Sequence, residues 1–98
     1  FVALADAQIR AARGDVNGAL EQFARAESLA LEMQMRPTIW QARAGAASIL
    51  EKGGKAKEAE AKRIAARAMV EEIAAMFQDE ELRKAFVESA NKKLREGG

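Results

Sequence analysis

The residues that come nearest to doing chemistry lie in two charged runs and three serines. Residues 53–59, GGKAKEA, bring glycines and lysines together, as a phosphate-binding loop does. They lack the glycine spacing and the Ser/Thr with which a P-loop cradles phosphates and holds magnesium, so the run reads as a turn. Asp79, Glu80 and Glu81 offer carboxylates to a hard cation, but without the spaced oxygen ligands and central glycine of a calcium loop. They read as a helix start, with Asp79 as N-cap and the two glutamates at the positive end of the dipole. Ser28, Ser48 and Ser89 have no activating partner in sequence, and the chain contains no histidine, cysteine or tyrosine. The usual general base near neutral pH and the thiol nucleophile are therefore missing. A non-catalytic protein with no cofactor and no metal site is the expectation.

Charge leads to the same kind of reading. From Lys52 to Arg67 there are six cations and two anions, and from Glu71 to Glu81 five anions and no cation, yet the net charge is only +1. Glu58 and Glu60 interrupt the basic run and no aromatic residues interleave for base stacking, so it reads as a solvated face, with no nucleic acid as partner. No apolar run approaches the roughly 20 residues that span a bilayer, and the first residues, FVALADAQIRAARGD, lack the basic lead of a signal peptide. No membrane partner and a cytoplasmic location are expected. The start at Phe1 reads as that of a fragment of a longer chain.

The elements that carry these residues are helical. Alanine dominates the 49% apolar fraction, proline occurs once, and β-branched residues are few; all favour helix. Breaks at Gly14, Pro37, Gly53-Gly54 and Gln78-Asp79 divide the chain into five predicted helices, near 2–13, 16–34, 38–52, 56–77 and 80–95. Ala19, Phe23, Ala26, Ala30 and Met33 form an apolar stripe at spacings of three and four. Ala59, Ala66, Val70, Ile73 and Phe77 form a second. Leu82, Phe86, Val87, Ala90 and Leu94 make the apolar face of the fifth helix. Met33, Met69 and Met76 are expected in the core, with Met35 left at a loop; Trp40 reads chiefly as packing and secondarily as a ligand anchor.

A period of 40 residues relates Ala7 to Ala47, Gly14 to Gly54, Val16 to Ala56, Ala19 to Ala59, Ala26 to Ala66 and Leu29 to Met69. A two-helix unit used twice, over about 1–36 and 37–77 with a closing helix at 79–95, is the pattern of a helical solenoid. Ala7, Gly14-Asp15, Ala19, Phe23 and Ala26, and again Ala47, Gly54, Ala59 and Ala66, resemble the tetratricopeptide repeat. The family's early tryptophan, leucine and tyrosine are replaced by Ala3, Asp6 and Arg10, and then by Arg43, Ala46 and Leu50, while Arg63 takes the place of its later aromatic residue. The family period is about 34 residues and its closing proline would fall on Leu31. Pro37 stands six residues late, so the second helices are longer, as in the long-helix repeats near the C-terminal ends of bacterial signalling proteins.

The resemblance implies an all-α fold of antiparallel helix hairpins, a single solenoid domain that binds a protein or peptide partner in a groove. Family geometry would aim Leu4, Gln8 and Ala12 of one unit, and Gln41, Ala44, Ser48 and Lys52 of the next, into that groove. The alternative implication is a structural end-cap. Two units are fewer than such arrays need, so Phe1, Val2, Leu4 and Trp40 are expected near the contact of a homodimer.

Overall fold

The computed structural model describes residues 2–95, which form five α-helices: α1 (Val2–Ala12), α2 (Val16–Glu32), α3 (Arg36–Lys52), α4 (Ala56–Ala74) and α5 (Glu80–Arg95). No strand occurs among the described residues. Each helix packs against the next in the chain, most extensively α3 against α4 and least α4 against α5, and α1 also touches α3. Among the described residues, no helix is long and apolar enough to cross a membrane.

The first three connections are built alike. Gly14, Gln34 and Gly54 all take positive φ, of 82°, 56° and 80°. In each turn the next residue's N–H reaches back to a carbonyl in the last helical turn: Asp15 to Arg10 at 2.9 Å, Met35 to Ala30 at 2.8 Å and Lys55 to Leu50 at 2.9 Å. A second bond, from the left-handed residue itself, goes to Ala11, Leu31 and Glu51 respectively. This double closure satisfies the carbonyls that a helix end leaves orphaned. Turns centred on residues 14, 34 and 54 recur every 20 residues, so α2, α3 and α4 begin at 16, 36 and 56.

The second turn corrects the helix ends read from sequence. α2 stops at Glu32 because the chain turns at Gln34, and α3 opens at Arg36 with Pro37 in its first turn, where a missing N–H costs nothing. Met33 therefore leaves the stripe and is 63% exposed, while Met35, beyond the turn, packs partly buried under α3. α4 likewise ends at Ala74 rather than at 77, which leaves Met76 59% exposed.

The fourth connection is different. Asp79 Oδ1 accepts the N–H of Glu81 at 2.8 Å and of Leu82 at 3.3 Å, capping α5 as its sequence predicts. Arg83 then reaches back, donating Nε to the Ala74 carbonyl at 3.1 Å and Nη2 to the Phe77 carbonyl at 2.6 Å. Arg83 thus caps the end of α4, and Leu82 beside it is turned away and 58% exposed. Only Ala90 and Leu94 of the predicted α5 face are fully buried, with Phe86 and Val87 partly so.

Two apolar clusters share α3 between them. The first joins Leu4 and Ala7 of α1, Ala19, Phe23 and Ala26 of α2, and Ala42, Ala46 and Ile49 of α3. The second joins Ile39, Trp40 and Ala44 of α3 to Ala66, Met69 and Val70 of α4 and to Ala90 and Leu94 of α5. A helix that is apolar on nearly every side is an interior helix. On α3 a charged group reaches both neighbours: Arg43 Nε lies 3.4 Å from Glu27 of α2 and its Nη1 donates to the Ala65 carbonyl of α4 at 3.1 Å. Lys62 of α4 joins the same glutamate at 3.6 Å, so one group of charges ties three helices. At the start of the fold, Arg10 bonds both Asp6 and Asp15; the Asp6 hydrogen bond, with its charge, raises the guanidinium pKa further above its ordinary value.

Gln34 is the one residue other than glycine at positive φ among those described. Left-handed backbone costs such a residue about 1–2 kcal/mol, of which glycine recovers most and returns part as unfolded-chain entropy. Gln34→Gly is expected to stabilise the protein by about 0.5–1 kcal/mol, read as a melting point higher by a few degrees. Gly14→Ala and Gly54→Ala should destabilise it by a similar amount, and by backbone strain alone, since an added Cβ at either position meets nothing within 4 Å.

Candidate functional site

One face of α3 carries Gln41, Ala44, Ser48 and Lys52, spaced by three, four and four residues and so lying in a row along the helix. α1 sets Gln8 and Ala12 beside them, and the six border a single cavity of about 410 Å³. The repeat resemblance implied a groove that includes all six. The seventh residue it placed there, Leu4, lies instead in the first core cluster, 8% exposed, because it shares a helix face with Ala7.

The floor comes from residues that sequence reading left out of the site. Phe23 of α2 lies under Gly45 of α3, and both border the cavity with Ile49. A methyl group at Gly45 would stand 2.5 Å from Phe23 Cζ, well inside van der Waals contact, so only glycine allows the ring this place. Trp40 closes the other end. It is 5% exposed and packed in the second cluster, with one edge at the cavity. Lys93 of α5 completes the rim, its ammonium 6.0 Å from the centre of the Trp40 ring. No local signal marks Gly45 or Lys93, because both act through a partner distant in sequence.

Chemically the site is a cavity with a polar rim. Its rim presents two amides, one hydroxyl and two ammonium groups, and no carboxylate among the described residues borders it. None of the side-chain hydrogen bonds among the described residues involves a serine, and no three acidic residues there gather closely enough to hold a metal ion. In the anionic run 79–81, Asp79 caps α5 and Glu80 pairs with Arg83. In the cationic run, Arg63 pairs with Glu51 and Glu60, and Lys62 with Glu27, so part of it is turned inward.

The residues expected at a dimer contact do not come together. Phe1 lies outside the described residues, Leu4 and Trp40 are buried, and Val2 alone is open, 88% exposed. Compared with known protein families, curated proteins and solved structures, the chain matches none of them.

Leu94, 2% exposed, shares a cluster with Trp40 and so supports the groove from behind. Leu94→Ala is expected to cost about 2–4 kcal/mol, the range for a truncated core leucine, and to raise acrylamide quenching of the single tryptophan. Leu82→Ala, on the open side of the same helix, should cost under about 0.5 kcal/mol and leave quenching unchanged.

Proposed function

We propose that the protein is a non-catalytic binding module of tetratricopeptide type, in which α1–α2 and α3–α4 are two helix-hairpin units, α5 closes the array, and a segment of a partner protein lies in the groove between α1 and α3. The observation that carries this reading is the groove itself. Gln8, Ala12, Gln41, Ala44, Ser48 and Lys52 surround one cavity, and they come from the first helix of each unit, the helices that line the inner surface of a curved array. The turns at Gly14 and Gly54 would then join the helices within each unit, and the turn at Gln34, closed in the same way, would join the units. The cavity has hydrogen-bonding groups on its rim and an apolar floor, the composition of a site that fixes a ligand's orientation by a few polar contacts.

The test uses a displayed library of random dodecapeptides selected on the purified protein. Peptides should be retained, and the variant Gln41→Ala with Ser48→Leu, which removes an amide and fills the cavity, should bind them at least about tenfold more weakly while its far-ultraviolet circular dichroism is unchanged. Equal binding by wild type and variant would refute the assignment.

A further inference from the structure

The ends of the groove are both cationic. Lys52 stands in the last turn of α3, and Lys93 stands over Trp40 near the start of that helix. No ion pair among the described residues uses either lysine, although eight ion pairs occupy cations elsewhere. Among the described residues, none that borders the cavity they flank carries a carboxylate. This positive charge is local, because the whole chain carries only +1. Each lysine also lies in the last turn of its helix, where the dipole contributes about half a negative charge. A full ammonium charge outweighs it, so both ends stay attractive to an anion.

Distance sets what can bridge them. Twelve residues separate Trp40 from Lys52 along α3, about 18 Å at 1.5 Å per residue. An extended chain at about 3.3 Å per residue covers that span in five to six residues. Between the ends, Gln8, Gln41 and Ser48 offer donors and acceptors for the backbone of such a chain, over the small residues Ala44 and Gly45. From this geometry we infer that the occupant is an extended acidic peptide, with two carboxylate side chains five to six residues apart seated on Lys52 and Lys93. The inference rests on the peptide-binding reading above and adds the ligand's charge and spacing. Single-stranded nucleic acid fits less well: Phe23 and Trp40, the aromatic rings at the site, are buried in its floor and present no face on which a base can stack.

Sequencing the dodecapeptides retained by the full chain tests this. The expected result is enrichment of Asp or Glu at pairs of positions five to six apart. Lys52→Glu and Lys93→Glu should each lower affinity for an enriched peptide about three- to tenfold at low salt, the scale of a rim charge contact. The double reversal, selected afresh, should prefer Lys or Arg at the same spacing, with circular dichroism unchanged. Retained peptides without acidic preference, whose binding is nonetheless lost in the Gln41→Ala, Ser48→Leu variant, would overturn this inference and leave the peptide-binding reading standing. Acidic peptides indifferent to both lysine reversals would also overturn it. Retention of no peptide would overturn both, and so would lysine-dependent binding of a labelled twelve-nucleotide single strand in place of peptides.

Discussion

The seat of the Phe23 ring on Gly45 is the contact on which the rest of the molecule depends. Phe23 is the one aromatic residue in the first core cluster, whose other members include six alanines. Alanines bury little area each, so their contribution requires helices close enough for backbones and methyl groups to touch. A glycine in mid-helix costs about 1 kcal/mol in propensity relative to alanine. Here it lets α2 and α3 meet over a full aromatic ring, and burying that ring contributes about 1.5–3 kcal/mol. The same contact forms the floor of the groove, so stability and site share one pair of residues.

From that pair the architecture spreads through α3, which packs against α1, α2 and α4 and shares the second cluster with α5. On one side Ala42, Ala46 and Ile49 meet α1 and α2; on the other Ile39, Trp40 and Ala44 meet α4 and α5. Arg43 gives this helix its register, since a guanidinium held by Glu27 on one neighbour and by the Ala65 carbonyl on the other fits only one rotation of α3. With that rotation set, Gln41, Ala44, Ser48 and Lys52 face the cavity. Under the proposed function the binding face is therefore the part of an interior helix that no neighbour covers.

Much of this was legible in the sequence and some was not, for identifiable physical reasons. Helical propensity and the glycines at 14 and 54 placed five helices, because glycine in a left-handed turn is a local signal. Gln34 takes the same conformation without that signal, and its turn was read from Pro37 instead, which carried Met33 into the predicted core. Leu82 satisfied the periodicity of α5 but lost its buried place when Arg83 turned inward to cap α4, a tertiary event that spacing does not encode. Six of the seven residues that the repeat resemblance implied for a groove border one cavity. Gly45 and Lys93 lie in the same groove and were missed, because the reason for each is a residue at least twenty positions away, Phe23 for one and Trp40 for the other.

A double-mutant cycle on Phe23 and Gly45, followed by denaturant unfolding, tests the central claim most directly. Phe23→Leu removes the ring, Gly45→Ala adds the methyl group it excludes, and overpacking of this kind costs about 1–3 kcal/mol. With the ring gone, the alanine should cost far less and return some helix propensity, giving a coupling energy of at least about 1 kcal/mol. Two substitutions whose effects add within about 0.5 kcal/mol would mean that the ring does not rest on Gly45, and the account of both the core and the groove floor would be wrong.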